Sequence, residues 1–126
     1  MPVRRASAQK LIEKLAASGQ LRAGFLMRVL SQGQIDLFDL AFARLLEVEL
    51  VHFRQFFYSD GVTLVALACR ATGIDKSVFA TVYNLSRQAR SKTAMMGRPE
   101  QAEVDRIFTG FTKITALDEL KAAIAH

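Results

Sequence analysis

Apolar side chains recur every three to four positions along most of the chain, and glycines interrupt the pattern at short intervals. This spacing puts the apolar residues on one face of an α-helix, and glycine commonly ends such helices. Strands find little support, because sustained strict alternation is absent and Asp60-Gly61 is the nearest approach to a hairpin turn. The pattern predicts an all-α fold of seven to eight short helices in antiparallel pairs, a HEAT-like superhelical bundle.

Capping residues, glycines and a proline set the expected limits of these helices. Ser7 is expected to cap the first helix after a frayed terminus, and Pro99 suits the first turn of the seventh. Thr115 and Asp118 have the spacing of a capping box, which predicts that they open the last helix. The expected spans are about 7–17, 22–31, 34–47, 49–58, 62–71 and 75–90, then one from 99 and one from 115.

Three helices carry specific expectations about burial. The fifth has only Thr63 and Arg70 as polar residues, which is typical of a buried central helix. Phe56 and Phe57 on the fourth are adjacent, so one of them is expected at an interface or between two neighbouring helices. On the sixth helix, a helical period predicts an inward face of Val78, Val82, Leu85 and Ala89.

Residues 26 positions apart show a weak internal similarity, and the repeating unit would be a helix, a turn and a second helix. Stacked helix pairs of this kind bury a core in HEAT-like solenoids. Either a true repeat or chance similarity between amphipathic helices accounts for it. The matched pairs are Arg28 and Arg54, Leu30 and Phe56, Phe38 and Leu64, Arg44 and Arg70, and Val48 and Ile74.

The length of 126 residues indicates a single all-helical domain over 1–126, alone or as a fragment of a longer helical-repeat protein. Apolar residues make up 51% and the mean hydropathy is +0.17, which suggests that a second copy or further chain covers some apolar surface. The single cysteine and the lack of an apolar signal core favour the cytoplasm. No apolar stretch is long enough to span a bilayer.

Two stretches resemble the signatures of a known family. The first runs from Leu30 to Phe38 (Leu-Ser-Gln-Gly-Gln-Ile-Asp-Leu-Phe) and continues with Ala41, Ala43 and Leu45. The second comprises Asp60-Gly61, Leu64, Ala66-Leu67 and Arg70-Ala71-Thr72-Gly73-Ile74. The resemblance covers about residues 21–90 and is to an alphaproteobacterial helical domain family of unknown function. It implies a HEAT-like architecture and a bacterial cytosolic setting, and it transfers no catalytic residue.

Residues that could support catalysis are few, and each fits a structural role. Cys69 lies on the most apolar helix, where a free cysteine is normally buried and unreactive. His52 is expected on the surface or at an interface, since no His, Asp or Glu cluster has metal-ligand spacing. Asp36, Asp39 and Glu47 form an acidic edge, and the two aspartates lie where the positive end of a helix dipole favours them.

The glycines form neither a P-loop nor a dinucleotide-binding fingerprint. We therefore predict that the protein is not an enzyme. We also expect no catalytic, cofactor-binding or metal-binding residue, and no cofactor.

A basic cluster is the clearest candidate surface. The sequence favours a protein–protein interaction module, an adaptor or regulatory scaffold, whose unidentified and acidic protein partner contacts this cluster. The alternative is a nucleic-acid-binding helical domain that uses the same charges, which the net charge of +5 permits. The cluster comprises Arg87, Arg90, Lys92 and Arg98, with Met95 and Met96 between them as adaptable apolar contacts.

Overall fold

The computed structural model describes residues 2–59, 61–92 and 96–125, and within these ranges the chain forms eight α-helices and no strand. The all-α prediction is therefore confirmed. The helices are α1 (Pro2–Ala17), α2 (Ala23–Ser31), α3 (Ile35–Leu46), α4 (Leu50–Phe57), α5 (Thr63–Thr72), α6 (Lys76–Ala89), α7 (Arg98–Gly110) and α8 (Lys113–Ile124).

The two ends of the chain differ from the expected helix limits. α1 begins at Pro2, so Ser7 lies inside the helix and the prediction that it is a cap is wrong. Proline is well suited to a first helical turn, because its missing N–H has no partner there. The capping box of α8 is formed by Thr112 and Thr115, not by Thr115 and Asp118, because Thr112 has the extended backbone of an N-cap.

Each threonine of this box satisfies a backbone N–H of the other, with Thr112 Oγ1 accepting at 3.1 Å and Thr115 Oγ1 at 2.8 Å. We expect Thr112→Ala to lower the free energy of unfolding by about 1 kcal/mol, because an orphan donor at the start of α8 loses its acceptor. Urea denaturation measures this change. Thr109→Ala, an exposed substitution inside α7, is the control and should change stability by less than about 0.5 kcal/mol.

The centre of the fold is α5, as the sequence predicts for its most apolar helix. It packs against α3, α4, α6, α7 and α8, and most extensively against α8. Next to it lies an aromatic cluster of Phe38, Phe42, Phe53 and Phe57, with ring centroids 4.7–6.0 Å apart. Phe56 is buried like Phe57, so neither of the adjacent rings is left for an interface.

The inward face of α6 is rotated from the expected one. Leu85 is 36% exposed and Ala89 is exposed, whereas Phe79 and Tyr83 are buried and their rings stack at 5.8 Å. The two aromatic side chains are larger than the aliphatic ones, so their burial removes more apolar surface from water. The prediction is therefore wrong for Leu85 and Ala89, whereas Val82 is buried and Val78 is half-buried against the core.

The weak sequence similarity at an offset of 26 residues coincides with repeated backbone geometry. Glu47 ends α3 and Gly73 ends α5, both in the left-handed conformation, at φ 58° and 86°. At each end the following residue donates its N–H to a carbonyl five positions back, at 3.0 Å in both cases. Each end then leads to an extended N-cap residue, Glu49 before α4 and Asp75 before α6. Residues 26 apart thus direct the chain in the same way from one helix to the next.

Candidate docking surface

Arg87, the first member of the predicted basic cluster, lies in the interior and is only 3% exposed. Its Nη2 donates to the backbone carbonyls of Phe57, Ser59 and Gly61, at 3.3, 2.7 and 3.3 Å. The guanidinium carbon also lies 4.4 Å from the centroid of the Tyr83 ring. Carbonyl dipoles and the face of an aromatic ring both stabilise a cation. The prediction that Arg87 presents its charge to a partner is therefore wrong, because the rotation of α6 turns it inward.

Arg90 belongs to a compact charge network that joins α3, α4 and the end of α6. Its Nη2 lies 2.5 Å from Asp39 Oδ2 and 2.8 Å from Asp36 Oδ1. Arg54 binds the same two carboxylates, at 3.0 and 3.1 Å. Tyr58 donates its hydroxyl to Asp39 Oδ1 at 2.6 Å. Two arginines and two aspartates neutralise one another here, so the network holds helices together and offers little free positive charge.

The titration of the network fits this structural role. Burial, followed by the nearby charge of Asp39, raises the pKa of Tyr58, so its hydroxyl remains a proton donor. Burial opposes the charge of Arg90, but hydrogen bonds from Arg90 to Asp39 and Asp36 outweigh it and raise its pKa. Asp39 has no exposed side-chain surface, while the Asp36 side chain is 78% exposed. The sequence-based explanation by the helix dipole therefore misses the main role of Asp39.

The remaining members of the predicted cluster differ in exposure. Lys92 and Arg98 are exposed, and Met96 is half-buried and packs against the core. Met95 lies outside the described residues. Since Arg87 is interior and Arg90 is paired, the structure does not bring the four cations together on one open surface.

A different basic surface lies where α1 ends and α2 begins. A hollow of about 460 Å³ is lined there by Arg22, Arg28, Leu15, Gln20, Gly24 and Phe25, and we call it the basic hollow. Within the described parts of the chain, neither arginine pairs with a carboxylate, whereas Arg44, Lys76 and Arg106 all do. The hollow therefore combines unpaired positive charge with concave shape.

Local contacts hold both arginines of the basic hollow in place. Arg22 donates its Nε to the carbonyl of Gly19 at 2.8 Å, which leaves its terminal nitrogens available. The guanidinium carbon of Arg28 lies 5.4 Å from the centroid of the Phe25 ring. The start of α2 adds positive potential, since no side chain caps it and no acidic residue lies in its first turn.

Sequence reasoning missed the basic hollow because Arg22 and Arg28 are six positions apart. That spacing does not place two side chains on one helix face. The hollow also includes Leu15 of α1 beside the two arginines, and the helical period does not specify that arrangement. A weak signal was available: Arg22 precedes a helix whose first turn contains no acidic residue.

The residues considered for catalysis occupy unremarkable positions. Cys69 is fully buried in α5, and burial raises the pKa of its thiol. His52 and Glu47 are exposed. Among the described residues, no three His, Cys, Asp or Glu side chains are grouped so that they could hold a metal ion.

No helix in the described part of the chain has the length and apolar character needed to cross a membrane.

Comparison with known protein families identifies the family to which the chain is similar. A family described as "Uncharacterised protein conserved in bacteria (DUF2336)" matches residues 2–120, which is nearly the whole chain. No curated protein and no solved structure matches the chain. This match supports the predicted membership of a bacterial domain family of unknown function, and the chain belongs to the bacterial DUF2336 family.

Proposed function

We propose that this protein is a non-enzymatic protein–protein interaction module, an adaptor or regulatory scaffold, that binds an acidic segment of a partner protein. The basic hollow is the observation that supports this proposal, because it combines two unpaired arginines with an apolar floor of Leu15 and Phe25. A carboxylate-rich segment that also carries one apolar side chain is complementary to both parts. In this proposal the basic hollow contacts the partner, in place of the region of Arg87 and Arg90 that the sequence predicted.

Preorganisation of the two arginines favours such binding. Arg22 is tethered to the carbonyl of Gly19, and Arg28 rests on the Phe25 ring. Side chains that are already ordered lose less conformational entropy when they bind, so more of the interaction energy appears as affinity. Arginine also forms bidentate pairs with carboxylates, which gives directional selectivity.

A protein segment fits the basic hollow better than nucleic acid does. Single-stranded nucleic acid is usually bound by exposed aromatic rings, whereas Phe25 is buried beneath Arg28. Duplex binding requires many phosphate contacts along an extended basic surface, and the hollow provides only two arginines.

The arrangement of the helices also supports this proposal. The repeated geometry at Glu47 and Gly73 supports a HEAT-like stacking of helix pairs, an architecture that commonly presents concave binding surfaces. The cytoplasmic location and the alphaproteobacterial origin inferred from the sequence remain predictions.

Binding of a defined acidic peptide tests the proposal. The probe is a short fluorescent peptide of glutamates around a central leucine, and the matched probe has glutamine at every glutamate. We expect Arg22→Glu/Arg28→Glu to weaken binding of the glutamate peptide at least tenfold, about 1.4 kcal/mol, because two attractive charges become repulsive. Fluorescence anisotropy gives both affinities, and circular dichroism verifies that the variant is folded.

The control variant is Arg98→Glu/Lys113→Glu, which changes the net charge by the same amount at two exposed positions outside the basic hollow. It should retain the affinity of the unmodified protein within about threefold, a loss of less than 0.7 kcal/mol. If the control variant lost affinity equally, general charge attraction would account for the binding and the basic hollow would not be its site. Tighter binding of random-sequence DNA than of the peptide at physiological salt would favour the nucleic-acid function instead.

A further inference from the structure

The apolar floor of the basic hollow continues along α1. Leu15 lines the hollow, and Leu11 lies four positions before it, so the two side chains belong to one row of the helix. Leu11 is 43% exposed and Leu15 is half-buried. We call these two leucines the α1 row. Apolar surface that a bound molecule could cover therefore extends beyond the hollow itself.

Two lysines lie beside the α1 row. Lys10 and Lys14 each precede one of its leucines and are four positions apart, so they form a second row along the same helix. Both are exposed, and neither pairs with a carboxylate in the described part of the chain. The negative end of the helix dipole favours Lys14 in the last turn of α1, but this effect does not reach Lys10. A structural role at the helix end therefore does not account for both charges.

The acidic residue of α1 lies on the other side of the helix. Glu13 bonds Arg44 of α3 at 2.8 Å, and it lines a separate depression together with Gln9 and Ile12. The helical period places Glu13 about 160° around the axis from Leu15. The side of α1 next to the basic hollow thus carries positive charge without a carboxylate to neutralise it.

We propose that the partner segment bound by the basic hollow is an amphipathic acidic helix that continues along the α1 row. One apolar side chain of this helix enters the hollow, and another, four positions away, covers Leu11. Its carboxylates meet the two lysines of α1 on one side of the apolar stripe and the two arginines of the hollow on the other. This inference rests on the proposed function, and it adds the conformation and the residue pattern of the partner.

A helix fits this surface better than an extended segment does. Leu11 and Leu15 are about 6 Å apart along the axis of α1, which equals the spacing of two side chains four positions apart on a partner helix. A helix also presents carboxylates on both sides of an apolar stripe, whereas an extended chain turns every second side chain to the opposite face. A helix can therefore cover both leucines and still meet both groups of cations.

The shape of the surface favours a protruding helix over a membrane. Binding at a bilayer surface relies on several large apolar side chains, whereas Leu11 alone is exposed among the described large apolar residues of α1. Leu15 and Phe25 lie on the floor of a concave hollow, where the flat surface of a bilayer does not reach them. A single helix is narrow enough to do so.

Two acidic peptides of equal composition test the helical register. Each has about 14 residues, a length that permits partial helicity, and contains two leucines among glutamates and alanines. The leucines are four positions apart in the first peptide, which puts them on one face of a helix, and two positions apart in the second, which puts them on opposite faces. We expect the first peptide to bind about fivefold more tightly in fluorescence anisotropy, because both of its leucines are covered.

Leu11→Gln tests the contact along α1, because glutamine keeps the helix propensity and the approximate length of leucine. The preference for the first peptide should fall below about twofold, and the affinity for the short single-leucine probe should stay unchanged. Val51→Gln is the control, since it also places glutamine at an exposed apolar position, on α4, and should keep the preference. Circular dichroism verifies that both variants are folded.

Lys10→Glu/Lys14→Glu tests the charges beside the α1 row. It should weaken binding of the first peptide about tenfold, because two attractive charges become repulsive. Arg98→Glu/Lys113→Glu changes the net charge equally at distant positions and should cost less than about threefold. Equal losses in the two variants would show that the lysines of α1 do not contact the peptide.

The outcomes separate this inference from the proposed function. A preference for the first peptide that Leu11→Gln removes supports the helix along α1. Equal binding of the two peptides, tighter binding of the second, or a preference that survives Leu11→Gln overturns it. In each of these cases, a short probe that still depends on Arg22 and Arg28 leaves the proposed function standing.

Vesicles of phosphatidylglycerol and phosphatidylcholine provide the membrane arm of the test. We expect no cosedimentation of the protein with these vesicles at physiological salt. Cosedimentation that Leu11→Gln abolishes, together with equal binding of the two peptides, would identify a membrane surface as the occupant and overturn the proposal.

Discussion

Replacing Asp39 with alanine is expected to lower the free energy of unfolding by about 3–5 kcal/mol. Its fully buried carboxylate accepts hydrogen bonds from Tyr58, Arg54 and Arg90, and no other described group replaces it at that place. Without it, a buried hydroxyl loses its acceptor and two guanidiniums lose their buried counter-charge. Urea denaturation followed by circular dichroism at neutral pH measures the loss.

Asp36 supplies a matched control within the same network. It binds the same two arginines as Asp39, but its side chain is 78% exposed. Exposed ion pairs contribute little, because water and salt screen them, so Asp36→Ala should cost less than about 1 kcal/mol. Equal losses for the two alanine variants would contradict the conclusion that burial makes Asp39 decisive.

Arg87→Met should lower the free energy of unfolding by about 2–3 kcal/mol. Methionine preserves most of the side-chain volume and the contact with the Tyr83 ring, but it removes every donor. The carbonyls of Phe57, Ser59 and Gly61 then lose their common partner at the end of α4. The loss is smaller than for Asp39 because Ser59 and Gly61 are exposed, so water can reach part of this loop.

Gln88→Ala is the control for this position, because Gln88 is the exposed neighbour of Arg87 on α6. It should change stability by less than about 0.5 kcal/mol. Arg87→Lys should fall between the two, since an ammonium can donate to the carbonyls but lacks the planar face that lies over Tyr83. An Arg87→Met variant as stable as Gln88→Ala would show that the carbonyls need no partner.

The helical period predicted where the helices lie better than it predicted which polar residues they bury. Asp39 follows Ile35 by four positions and precedes Phe42 by three, so it lies on the apolar stripe of α3. The dipole explanation treated it like Asp36, one turn earlier on the outer face. Periodicity alone could have separated the two aspartates, but identifying Arg54 and Arg90 as partners requires contacts across 15 and 51 residues.

On α6 two apolar stripes competed. Val78, Val82, Leu85 and Ala89 form a regular row, but Phe79 and Tyr83 lie one position further on and are buried. The aromatic row also turns Arg87, four positions beyond Tyr83, into the interior. Weighing the stripes by the area of their side chains would have selected the aromatic one and removed Arg87 from the predicted docking cluster.

Cys69 gives the chain a built-in reporter of how often its centre opens. It is the only cysteine in the sequence, and α5 holds it out of contact with solvent. The thiolate must attack the alkylating reagent and displace its leaving group, so labelling requires α5 to separate from the helices around it. The rate of modification under native conditions therefore counts openings of the central helix and needs no introduced probe. Substitutions at the periphery that leave the middle of the molecule intact will be invisible to this thiol.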